Sequence, residues 1–278
     1  MLRMSKLEVT FWGVRGSVPA PGPKTAVYGG NTSCVEVRAG GELIILDLGS
    51  GLRPLGETLV GKPVHGSMLL SHYHWDHIQG LPFFGPAYNP ASSFDIYGAT
   101  RGGLDVRAML SAQMVPPYFP VPIGAFAARL DFRPIAGGEK ARIGPVTVTA
   151  CELNHPNGSL GYRLDFEGRS VVYGTDNEHG PEADERLVAF AHGADVLIYD
   201  AMYTPEEYRG ESGPPKIGWG HSTWEAGVRT AQRAGVGTLV LFHHDPGRAD
   251  EGLETILGLA RKHHPNTRIA REGETLTV

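Results

Sequence analysis

Three histidines and one aspartate lie within ten residues, S-H-Y-H-W-D-H-I-Q-G, directly after the apolar residues 68–70. His72, His74, Asp76 and His77 have the spacing H-x-H-x-D-H. In an extended turn, residues two apart project to the same side, so His72 and His74 can reach one ion. Asp76 and His77 follow where a helix is predicted to begin, and they can reach a second ion. Imidazole and carboxylate ligands suit Zn²⁺, and also Mn²⁺ or Fe.

The alternative interpretation is a loop with three solvated histidines, but this spacing should rarely arise by chance in a chain with 12 histidines. One short cluster cannot fill two coordination spheres, so a metal site requires further ligands downstream. His155, Asp176 and His243 each follow or end a predicted strand. Each alone would be an ordinary polar residue at a strand end, whereas together they complete a two-metal set.

Short predicted strands and helices must position these residues. Strands are predicted at 7–12, 33–38, 43–47, 68–70, 94–97, 146–153, 161–166, 170–173, 196–199 and 238–242, with one or two last short strands near the end of the sequence. Helices are predicted at 52–59, 103–113, 182–191, 223–234 and 251–263. Two similar halves of strands flanked by helices indicate two sheets packed face to face with helices outside. We predict an α/β protein with one domain over residues 1–278.

The segment M-V-P-P-Y-F-P-V-P, residues 114–122, contains four prolines. Proline lacks an N–H donor and has a fixed φ, so regular structure is excluded there. We predict an irregular insertion around residues 112–124. A flap beside the site and an inert surface loop are equally compatible with this composition.

The composition limits the function classes. A net charge of −5 and a pI near 6.2 argue against a broad basic surface for nucleic acid, although a local basic pocket is compatible with them. No apolar run is long enough to span a bilayer and the N-terminus has no long apolar segment, so we expect a cytoplasmic protein without a membrane partner. Cys34 and Cys151 lie in strand-like alternations and are interpreted as buried hydrophobes.

The full pattern resembles the metallo-β-lactamase superfamily over nearly the whole chain. That resemblance implies an αββα four-layer sandwich of two mixed β-sheets. It also implies seven ligands: His72, His74 and His155 for one ion, Asp76, His77 and His243 for the second, and Asp176 as a bridge. Asp47, in I-I-L-D-L-G, resembles the superfamily's early strand-end aspartate, which supports the metal loop.

Within the superfamily, the stretch G-W-G-H-S-T-W-E-A resembles an element of RNase Z and its relatives, the small cyclic-phosphodiester hydrolases. In that branch the histidine, here His221, lies near the scissile phosphate. The segments at 11–19, 29–33 and 155–164 resemble the same branch. Two features depart from it. Only 21 positions separate His155 from Asp176, which leaves no room for the long RNase Z arm, and there are too few cysteines for an extra zinc site.

These residues predict a hydrolase with two divalent ions, Zn²⁺ being favoured, that acts on a small or cyclic phosphodiester such as a cyclic nucleotide. A hydroxide shared by the two ions would attack phosphorus, Asp76 would orient it, and His221 would protonate the leaving oxygen. Arg15, Asn31 and Ser159 are candidate substrate contacts.

Two alternatives stay open: an acyl hydrolase of the lactone or thioester type, and a small nuclease acting on RNA or single-stranded DNA. A purely structural metal site is disfavoured, because structural zinc sites are closed. We expect a small-molecule phosphodiester as the partner and no extended nucleic-acid surface. Relatives in the branch are often dimers, and by that analogy we expect a homodimer.

Overall fold

Apolar segments of the chain form two seven-stranded sheets in the computed structural model, which describes residues 6–278. The first sheet contains β1 (Leu7–Gly13), β2 (Cys34–Ala39), β3 (Glu42–Leu46), β4 (His65–Leu69), β5 (Ser93–Gly98), β6 (Arg129–Pro134) and β14 (Thr275–Thr277). The second contains β7 (Lys140–Ile143), β8 (Val146–Leu153), β9 (Ser159–Phe166), β10 (Arg169–Gly174), β11 (Val196–Asp200), β12 (Thr238–Phe242) and β13 (Thr267–Ile269).

Both sheets are mixed. The strand order is β14-β1-β2-β3-β4-β5-β6 in the first sheet and β13-β12-β11-β10-β9-β8-β7 in the second. Strands β3, β4, β5 and β6 run parallel to one another, and so do β10, β11, β12 and β13, while all other neighbouring strands pair antiparallel. The carboxyl ends of adjacent parallel strands meet at one edge of a sheet, so β10, β11 and β12 deliver the residues that follow them to one place.

Helices cover the outer faces of the sheets. They are α1 (Leu52–Thr58), α2 (Trp75–Ile78), α3 (Val106–Ala112), α4 (Pro181–Phe190), α5 (Pro205–Arg209), α6 (Trp224–Ala234) and α7 (Asp250–Arg261). One buried cluster lies between the sheets, with Val37 and Ile44 against Leu164 and Ile198. Separate clusters join α1 and α3 to the first sheet and α4, α6 and α7 to the second. The predicted αββα four-layer sandwich is confirmed.

Three elements were not predicted. Strand β6 is half exposed along its length and β7 has four residues, so neither has a strong apolar alternation. Helix α5 has only five residues and depends on a capping box between Thr204 and Glu207. Between the end of α3 at residue 112 and a 3₁₀ turn at Ile123–Ala125, the proline-rich segment forms no helix or strand. Residues 1–5 of the predicted domain lie outside the described residues.

Within residues 6–278, no helix combines the length and apolar character that crossing a bilayer requires.

Candidate metal centre

The loop after β4 delivers the first histidines to the edge of the sheets. His74 is in an extended conformation at the N-cap of α2, so the chain turns from extended to helical inside the H-x-H-x-D-H motif. The side chains of His72, His74 and His155 converge, with one ligand atom of each within 4.8 Å of the others. We call these three residues the histidine group. The shortest of these contacts, between His74 Nδ1 and His155 Nε2, is 3.1 Å.

Asp76, His77, Asp176 and His243 form a second convergence, with their ligand atoms again within 4.8 Å of one another. We call these four residues the carboxylate group. His77 Nε2 lies 3.3 Å from His243 Nε2. His243 Nε2 lies 3.3 Å from Asp76 Oδ2 and 3.1 Å from Asp176 Oδ1. Two ligands bound to one tetrahedral ion at about 2.0–2.1 Å lie roughly 3.3 Å apart, which matches this spacing.

Asp176 lies between the two groups. Its Oδ2 is 3.6 Å from His72 Nε2 and 3.7 Å from His155 Nε2, while its Oδ1 faces His243. One carboxylate therefore faces both sets of imidazoles, as a bridging ligand requires.

The donor set fits divalent metal ions. His72 Nε2 is buried without a hydrogen-bond partner, and it points at the convergence. Burial lowers the pKa of His72, His74 and His155, which keeps these imidazoles in the neutral form that can bind a metal. This set of nitrogen and carboxylate oxygen donors suits Zn²⁺ and related ions.

Charge is concentrated in the carboxylate group. Burial opposes a charge on His77, but the carboxylates of Asp176, Asp76 and Asp47 prevail and raise its pKa. Burial also disfavours the Asp76 anion, yet the adjacent His77 and His243 lower the pKa of this carboxyl. The neighbouring imidazoles likewise lower the pKa of Asp176, so Asp76 and Asp176 both stay ionised and can offer negative charge to a metal cation.

Asp47 lies behind this group and orients it. The carboxylate is fully buried and accepts four hydrogen bonds, from the Ser71 N–H and hydroxyl, from His77 Nδ1 and from the Tyr173 hydroxyl. Its backbone has φ +60°, a strained value for an aspartate. Because its Nδ1 is bound to Asp47, His77 must present Nε2 to the centre.

The backbone of the loop at Gly16 and Ser17 passes close to two residues of the carboxylate group, His243 and Asp76. A Cβ on Gly16 would lie 2.4 Å from the His243 ring, so only glycine lets this loop pass over the histidine. The neighbouring Ser17 N–H donates to Asp76 Oδ2 at 2.8 Å. His243 itself has φ +58°. His244 points away, donating from Nε2 to the Ala270 carbonyl oxygen, and burial lowers its pKa to about 3.

His221 stands beside the metal-ligand cluster and is held by a partner that sequence reasoning missed. Its Nδ1 lies 2.8 Å from Asp200 Oδ2 and 3.9 Å from Asp176 Oδ2. Burial opposes the imidazolium, but Asp200 prevails and raises the pKa of His221 to about 9. The signal for Asp200 was present, because V-L-I-Y-D ends a buried strand with a carboxylate just as I-I-L-D does.

The remaining sequence candidates are Arg15, Asn31 and Ser159, and all three are engaged in or enclosed by the protein. Arg15 is fully buried, and its guanidinium donates to the carbonyl oxygens of Gly29, Asp245 and Arg248. The Asn31 side chain donates to Glu272 and accepts from Ser50. Ser159 is buried at the start of β9, with no hydrogen-bond partner for its hydroxyl. Arg15 and Asn31 therefore join loops together in this structure.

Comparison with known proteins agrees with this geometry. A family model described as "Beta-lactamase superfamily domain" matches residues 58–244, more than half of the chain. Ribonuclease Z of Mycobacterium avium is 27% identical over 270 residues, covering 86% of each chain. The metallo-β-lactamase fold protein YhfI from Bacillus subtilis superposes with a TM-score of 0.73 at 21% identity, covering 99% of this chain and 100% of its own. The short form of human tRNase Z gives 0.66 at 19% identity, with 97% and 98% covered.

A sandwich of two mixed sheets with histidine and aspartate clusters at the ends of its strands defines a metal-dependent hydrolase. The chain belongs to the metallo-β-lactamase superfamily, in its RNase Z-like branch.

These relatives correct one expectation. The acidic charge balance predicted that no extended nucleic-acid surface is present. That prediction is wrong for this branch, because the matched curated relatives are named ribonucleases. The physical reason is that net charge sums over the whole surface and does not exclude a local patch that binds phosphates. The homodimer stays a prediction.

Proposed function

We propose that the protein is a dinuclear-metal phosphodiesterase in which His221 protonates the leaving oxygen. The observation that carries this proposal is the pair of His221 and Asp200, at 2.8 Å, beside the carboxylate that faces both donor groups. A phosphodiester with an alkoxide leaving group needs such a proton donor.

In this proposal the histidine group holds one ion and the carboxylate group the other, with Asp176 shared, and Zn²⁺ is the ion that the donors favour. When bound, two such ions would supply a water of lowered pKa and would stabilise charge on the phosphate oxygens. Asp200 holds the His221 ring by Nδ1 and favours its protonated form, so Nε2–H is the atom that donates. Asp76, fixed by the Ser17 N–H, orients the attacking group.

Two substrate classes contain a phosphodiester bond with an alkoxide leaving group. A small or cyclic phosphodiester, such as a cyclic nucleotide, is the first, because the 21 positions between His155 and Asp176 leave no room for a long arm. RNA is the second candidate, and the Ribonuclease Z relatives favour it. Both classes place an alkoxide oxygen opposite the attacking group, so the same residues serve both.

The test compares two leaving groups in a His221→Ala variant. On a 3′,5′-cyclic nucleotide or an RNA with a 3′ extension, kcat/KM should fall roughly 10²–10⁴-fold. On bis(p-nitrophenyl) phosphate the loss should be much smaller, because p-nitrophenolate departs without a proton. Elemental analysis should find the same metal content as in the wild type. His65→Ala, which changes an exposed histidine, is the matched control.

Two outcomes would contradict the proposal. An equal loss on both leaving groups, or loss of metal from His221→Ala, would remove the proton-donor role. Hydrolysis of a lactone or thioester with no turnover of any phosphodiester would favour the acyl-hydrolase alternative.

A further inference from the structure

A loop beside the centre presents an aromatic ring and a cation in fixed positions. We call residues 210–220 the rim loop. The Glu178 carboxylate accepts hydrogen bonds from the N–H groups of Gly218 and Gly220 at 2.7 and 2.8 Å, and from the Tyr208 hydroxyl at 2.7 Å. The Gly220 carbonyl oxygen lies 2.8 Å from His155 Nδ1. The rim loop is therefore tied directly to a residue of the histidine group.

Glycine is required at that junction. Gly220 has φ +88°, and a Cβ there would lie 2.3 Å from His155 Nδ1. Trp219 precedes this glycine, so its backbone is held one residue away from the contact with His155. The Trp219 N–H also donates to the Lys216 carbonyl oxygen, and the Lys216 N–H donates to that of Tyr208.

The side chains of Lys216 and Trp219 contact each other. Lys216 Nζ lies 4.1 Å from the centroid of the Trp219 ring and 6.0 Å from that of Tyr203. The Tyr203 ring is in turn 6.0 Å from the His221 ring. Trp219 is 53% exposed, and among the described residues Lys216 has no carboxylate within ion-pair distance. The indole therefore contacts the ammonium while about half of the side chain stays accessible to a ligand.

This pair has the chemistry that a nucleotide requires. A nucleobase stacks on an exposed aromatic ring of fixed position, and such stacking tolerates every base because each has a π-face. The Lys216 ammonium can supply the positive charge that a phosphate needs. A space of about 230 Å³ adjoins Lys216, and its lining also includes Tyr203 and the carboxylates of Glu207 and Asp245. The Glu207 carboxylate is paired with Arg248 at 2.6 Å.

We propose that Trp219 and Lys216 form a nucleotide-recognition subsite, in which the indole stacks on a nucleobase and the ammonium pairs with a phosphate. This inference rests on the proposed phosphodiesterase function and names its substrate class as phosphodiesters of nucleosides. The nucleotide chemistry is shared by a free cyclic nucleotide and by the end of an RNA.

The first experiment measures binding to the metal-loaded protein by calorimetry, so it does not depend on turnover. The probes are adenosine 5′-monophosphate and ribose 5-phosphate, which differ only in the base. Wild type should bind the nucleotide more tightly, and Trp219→Ala should weaken nucleotide binding roughly ten-fold while leaving ribose 5-phosphate unchanged. Trp219→Phe should retain most of the preference.

Two further variants separate the roles. Lys216→Ala should weaken both probes by a similar factor, because it removes the charge that faces the phosphate. Ile217→Ala is the matched control, since Ile217 lies in the same loop and is 64% exposed, and it should change neither affinity. The subsite would be overturned if wild type showed no preference for the nucleotide over ribose 5-phosphate. It would also be overturned if Trp219→Ala kept that preference.

The second experiment uses one leaving group on two esters, thymidine 5′-(p-nitrophenyl phosphate) and methyl p-nitrophenyl phosphate. Trp219→Ala should raise KM for the nucleoside ester roughly ten-fold with little change in kcat, and leave the methyl ester unaffected. An equal change on both esters would overturn the subsite. Base-dependent binding without turnover of either ester would leave the subsite standing and reject the proposed phosphodiesterase function. A short RNA and a 3′,5′-cyclic nucleotide are then used as competitors. Their relative affinities show whether the subsite prefers the end of an RNA or a free cyclic nucleotide.

Discussion

The carboxylate group is buried throughout, whereas the histidine group reaches the surface through the partly exposed His74. Behind the carboxylate group, Asp47 accepts four hydrogen bonds and fixes His77, and Ser17 fixes Asp76. In the histidine group, His155 is held by a backbone carbonyl oxygen, and His72 by the Ser71 hydroxyl at 3.0 Å.

The two proposed ion positions therefore differ in how firmly their ligands are held. Two carboxylates and a network of hydrogen bonds pre-organise one position, while three neutral imidazoles and one shared carboxylate serve the other. Pre-organised, charged ligands bind a divalent cation more tightly. We therefore expect the ion of the carboxylate group to be the tighter one and the ion of the histidine group to leave first on chelation.

Removing the shared carboxylate should have the largest effect. In Asp176→Ala both groups lose the side chain that joins them, so metal analysis should find both ions depleted. Phosphodiester turnover should fall roughly 10³-fold or more. Normal metal content with normal turnover would show that Asp176 is not shared by the two ion positions. A cooperative unfolding transition close to that of wild-type apoprotein is the control for folding.

Removing one imidazole should separate the groups. His155→Ala should lower the metal content from about two ions to about one, because the carboxylate group keeps all of its side chains. The rate should fall roughly 10²-fold. Metal titration followed by calorimetry measures both sites. Loss of both ions together would contradict a difference in strength between the two ion positions.

Loosening the support of His77 should have the smallest effect. Asp47→Asn exchanges an acceptor of four hydrogen bonds for an amide, and it should weaken the tighter ion roughly 10- to 100-fold while the looser ion is unchanged. Tyr173→Phe removes one of these bonds and should weaken the same ion by roughly five-fold at most. Competition with a chelator measures the affinities, and an identical effect on both ions would contradict the assignment of Asp47 to the carboxylate group.

Much of the fold followed from local patterns. Strands β8 and β12 have the predicted bounds. Helix α6 starts after the Thr223 cap and ends before Gly235, and both residue types favour these positions. Strands β6 and β7 and helix α5 were missed because they are short or half exposed. The two strands depend on pairing with neighbouring strands, which a window of sequence does not contain, and α5 has only five residues, too few to show a helical apolar period.

The H-x-H-x-D-H cluster and the strand ends that bring His155, Asp176 and His243 to it could be predicted from the chain, because spacing and strand polarity fix where such side chains go. The side chains that support them depend on tertiary packing. Asp200 reaches His221, Arg15 turns inward to join loops, and Glu178 fixes the rim loop, each across distances in the chain that no local pattern spans. Packing sets these pairings, since a buried charge must find its partner wherever the fold provides one.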